Sequence, residues 1–107
     1  MPLLIDSEPV EVKNWLDSNE AILVDIRETQ ELNQASITGA IHMPLSNFDP
    51  SQIPKDSGKK FVLICGHGVR SYQVGTFLLE RGFLDQAYHV ASGIAGWAQA
   101  GLALESS

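Results

Sequence analysis

The stretch that decides the fold is Phe61-Val62-Leu63-Ile64-Cys65-Gly66-His67-Gly68-Val69-Arg70-Ser71. Its first four residues form an apolar run of the kind found in parallel strands buried on both faces. Beyond Ser71, Val74, Phe77 and Leu78 recur at helical i, i+3, i+4 spacing. The segment reads as strand, tight glycine-containing loop and helix, with a thiol at the strand's C-terminal end. An open α/β sheet binds its ligands at that end. There a thiol meets backbone N–H groups and the positive end of the helix dipole. Both favour thiolate over thiol, and the thiolate is the nucleophile.

Reading outward, strand and helix patterns alternate. Leu3-Leu4-Ile5 suits a short first strand, and Ser7 can cap a helix that has Pro9 in its first turn and Val12, Trp15 and Leu16 as its inward stripe. Residues 21–26 form a strand pattern that ends in charge, and residues 28–34 form a short polar helix. Residues 40–43 read as a brief strand before Pro44. Residues 47–60 hold two prolines and a glycine, a long surface connection with room for one helical turn. The helix after the loop, from about Ser71, stops at Gly82, with Phe83 placed for the hydrophobic contact of a Schellman end. Residues 87–91 give the last strand. Ser92 can cap a short helix running through Trp97, and residues 104–107 read as a frayed tail. About five strands alternating with helices predict a single α/β domain with a parallel sheet.

Composition narrows the function. The chain has 107 residues, 44% of them hydrophobic and 19% charged, which suits one soluble domain. Seven Lys+Arg against 13 Asp+Glu give a formal charge of -6. That argues against nucleic acid and anionic membrane as partners. One cysteine excludes an internal disulfide and a Cys–Cys zinc site, and three scattered histidines match no zinc spacing, so no metal or cofactor is expected. The first residues lack a basic start and an apolar core, so no signal peptide is expected and a cytoplasmic setting is the default.

Three separated motifs then resemble the rhodanese family of sulfurtransferases. The first is Asp25-Ile26-Arg27 with Glu31, Ile37, Gly39-Ala40 and Pro44. The second is the loop from Cys65 to Arg70. The third is Gly93-Ile94-Ala95-Gly96-Trp97. The likeness spans residues 7–101. It implies a rhodanese-like fold, a central five-stranded parallel sheet with helices on both faces. It implies that Cys65 carries a persulfide. The N–H groups of Gly66, His67, Gly68, Val69, Arg70 and Ser71 would then curl around the outer sulfur and bind substrate. A small anionic sulfur donor such as thiosulfate, a cyanide or thiol acceptor, or a persulfidic partner protein would complete the reaction.

The residues support that chemistry. Converging N–H dipoles stabilise a persulfide anion without ordering flexible side chains, and Gly66 and Gly68 let the backbone aim them inward. Arg70 either meets an anionic donor or braces the loop through carbonyl contacts. His67 either rims the pocket or is a bystander, since this transfer needs no obligatory proton shuttle. Arg27 and Glu31, four apart, suggest an ion pair at the strand-to-helix turn; they and Asp25 read as structural, with Asp25 the one expected to touch the site from its strand end. Trp15 and Trp97 read as core. Rival readings are a cysteine phosphatase or arsenate reductase, and a sulfur-carrier or interaction domain. Four residues separate Cys65 from Arg70, one fewer than in phosphatase loops, and the smaller ring suits one sulfur better than a tetrahedral oxyanion.

Overall fold

The structure is a computed structural model and describes residues 3–54 and 58–106. In chain order it contains β1 (Leu3–Ser7), α1 (Pro9–Asp17), β2 (Ala21–Asp25), α2 (Thr29–Gln34), β3 (Ile41–His42), β4 (Lys60–Ile64), α3 (Val69–Glu80), β5 (Gln86–Val90) and α4 (Gly93–Gln99), with two short 3-10 turns between β3 and β4. The five strands form one sheet in the order β1-β5-β4-β2-β3, every pairing parallel.

The apolar run before Cys65 has its reason in β4, which lies mid-sheet and is covered on both faces. Phe61, Leu63 and Cys65 point into one core with Val74, Leu78 and Leu79 of α3. Val62 and Ile64 point into the other with Val12 of α1 and Trp97 of α4. Trp97 is fully buried, whereas Trp15 is half-buried at the edge, its ring 5.1 Å from that of Tyr88. Helix α2 buries no side chain. It lies beyond the C-terminal end of β2, beside the Cys65 loop.

The C-terminal stop of α3 is the Schellman pattern expected at Gly82: Phe83 N–H donates to Leu78 O at 2.9 Å and Gly82 N–H to Leu79 O at 3.2 Å. Phe83 then stacks on Phe77, with ring centroids 6.3 Å apart.

Five local expectations are corrected. Ser7 does not cap α1: it is the last residue of β1, its Oγ is buried without a hydrogen-bond partner among the described residues, and Glu8 takes the cap position before Pro9. Strand pairing to Val90 carries the chain two residues further than the apolar pattern suggested. Helix α3 starts at Val69 rather than near Ser71, because Gly68 supplies the left-handed turn that opens it. The connection before β4 holds two helical turns, Leu45–Asn47 and Pro50–Gln52, and sends Ile53 into the core; residues 55–57 of it lie outside the described residues. The tail is tied down as far as Glu105, which exchanges backbone hydrogen bonds of 2.8 Å with Ser36, and Leu102 and Leu104 pack against the core around Trp97; Ser107 lies outside the described residues.

Candidate active site

Cys65 follows the last residue of β4 and is 1% exposed. Gly68 N–H points to its Sγ at 3.1 Å, Ser71 N–H at 3.3 Å, and Ser71 Oγ lies 3.5 Å away. These donors come from the first turn of α3 and the residue before it, where backbone N–H groups have no partner within the helix. Burial pushes the Cys65 thiol up, but the Ser71 hydroxyl and the N–H groups of Ser71, Gly68 and His67 outweigh it and leave the thiol below its ordinary value. Hydrogen-bond donors thus favour the thiolate over the thiol, and the Arg70 guanidinium interacts with its charge.

Two glycines let the loop close. Gly68 has φ +98°, and a Cβ there would stand 1.9 Å from Ala91 O. Gly93 has φ +66°, and a Cβ there would stand 2.3 Å from Gly66 O. Gly66, expected to share the turning role, does not adopt positive φ. The close approach at Gly93 lets the start of α4 hold the loop from behind: Ile94 N–H donates to Cys65 O at 2.9 Å and Ala95 N–H to Gly66 O at 3.2 Å. The closing Gly93–Trp97 motif is therefore a buttress. Ser92 stands at its cap position without a side-chain bond.

Arg70 does not reach loop carbonyls. Its two terminal nitrogens each donate to Glu31 at 2.8 Å, a bidentate pair joining α3 to α2. The Arg70 guanidinium holds the Glu31 carboxyl down to about 2, against the upward push of partial burial. Glu31 also completes a capping box with Glu28. The expected Arg27–Glu31 ion pair does not form. Buried Arg27 turns to Asp25, with Nη2 2.8 Å from Oδ2 and Nε 3.0 Å from Oδ1, and donates to Ala35 O at 2.7 Å. Asp25, 1% exposed, gives its carboxylate to Arg27, and its charge also acts on Arg70 of the cysteine loop. Spacing of four on a helix predicted the pair, but Arg27 precedes α2, so the two side chains leave in different directions.

His67 is exposed and lines a cavity of about 490 Å³ with Asp6, Tyr72 and His89, and Val69 is exposed on its edge. The sequence reading missed three contributors: Glu31 as the partner of Arg70, the α4 N–H groups, and His89, which had read only as a strand residue. His89 Nδ1 is 2.8 Å from Ser71 Oγ, and its Nε2 is 2.8 Å from Asp6 Oδ1. Among the described residues no cluster of three or more His, Cys, Asp or Glu side chains is placed to hold a metal ion, and no helix is long and apolar enough to cross a membrane.

Comparisons with known proteins agree with this geometry. The family model for the rhodanese-like domain matches residues 8–100. The chain is 36% identical over 100 residues to a protein of Allochromatium vinosum named sulfurtransferase, covering 92% of this chain and 90% of that one. It is 28% identical over 99 residues to the thiosulfate sulfurtransferase GlpE of Actinobacillus succinogenes, covering 92% and 88%. Among solved structures, the thiosulfate sulfurtransferase from Pseudomonas aeruginosa superposes with a TM-score of 0.83 at 26% identity, over 96% of this chain and 20% of that larger one. A parallel sheet ending in a cysteine cradle, backed by the glycine–tryptophan helix and matched over most of its length, places the chain in the rhodanese-like domain family.

Proposed function

We propose that this protein is a sulfurtransferase that carries sulfane sulfur as a Cys65 persulfide. The observation that supports the reading most is the convergence of the Gly68 and Ser71 N–H groups and the Ser71 hydroxyl on one buried sulfur. The sulfurtransferase names of its relatives agree with it.

In the first half-reaction the Cys65 thiolate attacks the sulfane sulfur of a donor such as thiosulfate. A new S–S bond forms at Sγ, the donor's S–S bond breaks, and sulfite leaves with the electron pair. In the second, cyanide or an acceptor thiolate attacks the outer sulfur, and Cys65 leaves as thiolate. The N–H groups stabilise the charge on Sγ as the thiolate attacks in the first half and as it is released in the second. A persulfidic partner protein could load Cys65 by the same displacement. Arg70 in this reading is the brace that holds the loop to α2, because Glu31 already occupies its fork.

Intact-protein mass spectrometry after thiosulfate treatment tests the proposal. The wild type should gain one reducible sulfur atom and Cys65→Ser none. Sulfur transfer to cyanide by the serine variant at the wild-type rate would overturn it.

A further inference from the structure

A line of polar side chains runs from the buried sulfur to solvent. Sγ of Cys65 lies 3.5 Å from Ser71 Oγ, Oγ lies 2.8 Å from His89 Nδ1, and His89 Nε2 lies 2.8 Å from Asp6 Oδ1. His89 is 3% exposed, while the Asp6 side chain is 77% exposed. Strand register creates the line. Asp6, His89 and Leu63 are paired across β1, β5 and β4, so their side chains share the α3 face. Ser71, in the first turn of α3, comes down onto that row.

With His89 protonated on Nε2 and the Ser71 hydroxyl turned toward Nδ1, every atom of the line is satisfied in one direction. The thiol donates to Oγ, the hydroxyl donates to Nδ1, and the Nε2–H donates to the Asp6 carboxylate. Ser71 Oγ also has Gly68 O at 3.2 Å, so its hydrogen has a second place to turn. The groups facing His89 are Asp6 from β1, Ser71 and the Tyr72 ring from α3 (6.1 Å between centroids), and apolar Leu63 from β4; His67 of the loop shares the adjoining cavity. Asp6 is therefore the charged group hydrogen-bonded to His89 among the described residues. Cys65 has almost no direct contact with water, and a thiol that must ionise there needs a route for its proton.

We infer that Ser71, His89 and Asp6 form a relay that takes the Cys65 proton and holds it at His89, beside a solvent-exposed carboxylate. The S–H bond breaks and its electron pair stays on sulfur. The proton passes to Ser71 Oγ as the serine's own hydrogen passes to Nδ1. The products are a Cys65 thiolate and a His89 imidazolium whose Nε2–H still donates to Asp6. The reverse shift reprotonates the thiol. His89 and Asp6 act through Ser71 and are positioning residues.

The inference rests on Cys65 being the reacting thiol, as proposed above, and is independent of which donor supplies sulfur. It is tested by the pH dependence of Cys65 alkylation with iodoacetamide, an uncharged reagent, in the full chain. Wild type, Asp6→Asn, His89→Gln, Ser71→Ala and Ser71→Thr are compared, each with a thermal melt. His89→Gln and Ser71→Ala should be alkylated about tenfold more slowly at neutral pH, with profiles displaced upward. Asp6→Asn should move the same way by less, and Ser71→Thr, which keeps the hydroxyl, should restore the wild-type profile. A displacement in Ser71→Ala alone overturns the relay, since that variant also loses a direct contact to sulfur. Should His89→Gln not fold, exposed Asp6 decides: a wild-type profile in Asp6→Asn overturns the relay. Alkylation needs no sulfur donor, so displaced profiles without sulfur transfer would overturn only the sulfurtransferase reading.

Discussion

The Glu31 carboxylate grips both terminal nitrogens of Arg70 at 2.8 Å, binding the first helical turn beyond the cysteine loop to a helix 39 residues earlier in the chain. The loop is thereby held from α2 through this pair and from α4 through two backbone bonds. An arginine engaged in this way shapes the cradle more than it offers charge to a ligand.

Arg70→Ala should therefore lower kcat/KM by about tenfold with a charged and with an uncharged sulfur donor alike. The same variant should lose about 1 kcal/mol of stability, a bidentate but half-exposed pair being worth little more in water, or ~4 °C in melting temperature. Arg70→Lys should recover only part, because an ammonium cannot make the planar fork. Steady-state kinetics with both donors, paired with thermal melts, check this. A loss confined to the anionic donor, with unchanged melting, would reassign Arg70 to substrate binding.

Acid titration should find Glu31. Arg70 holds the folded carboxyl at about 2, below its ordinary 4.5. A carboxyl lowered by folding adds stability that is complete above the unfolded value and lost as pH falls toward the folded one. The stability difference between wild type and Glu31→Gln, from urea melts at a series of pH values, should thus be constant above about pH 5 and shrink between 4.5 and 2. A difference that persists undiminished at the acid end would show that the Glu31 charge is not the source.

The fold was legible because β4 is a continuous apolar run and α3 carries a helical period, and the thiol at their junction marked the site. What remained hidden depended on long-range placement. The partners of Arg70 and His89 lie 39 and 83 residues away at Glu31 and Asp6, and no local spacing records them. Arg27 and Glu31 misled for the same reason, since helical spacing applies only when both residues are on the helix. Ser7 misled because strand pairing outranked its capping propensity. The tail read as frayed because a single bridge, Ser36 to Glu105, has no pattern in sequence.

Glycine positions separate strain from collision. Gly68→Ala adds a Cβ 1.9 Å from the Ala91 carbonyl at φ +98°, whereas Gly39→Ala meets nothing within 4 Å at a similar φ of +88°. Gly39→Ala should cost about 1 kcal/mol, the left-handed penalty alone. Gly68→Ala should cost about 3 kcal/mol and slow Cys65 alkylation, because relieving the clash pulls its N–H from sulfur. Equal losses in the two variants, by denaturant melts, would show that the Ala91 carbonyl gives way freely.

The size of the cradle predicts which chemistry it rejects. Gly68 and Ser71 N–H groups, three residues apart, both reach one sulfur atom at 3.1 and 3.3 Å. A ring that closes this tightly around a sulfur has its donors aimed at a single atom, whereas a tetrahedral phosphoryl group spreads its oxygens over a wider circle. Only four residues lie between Cys65 and Arg70, and the guanidinium that would complete a phosphate site is already paired with Glu31. Aryl-phosphate hydrolysis should consequently be negligible. Inserting one glycine after Gly68 should push the start of α3 away from Sγ, which removes the Ser71 N–H and hydroxyl together. Sulfur transfer should then fall by about a hundredfold, the effect of losing preorganised donors, and a thermal melt of the same variant separates that loss from the destabilisation of a turn packed against Ala91. Assays of thiosulfate-to-cyanide transfer and of aryl-phosphate turnover on both proteins decide the matter. Brisk phosphatase turnover by the unmodified chain would mean that its loop opens further in solution than its hydrogen bonds allow.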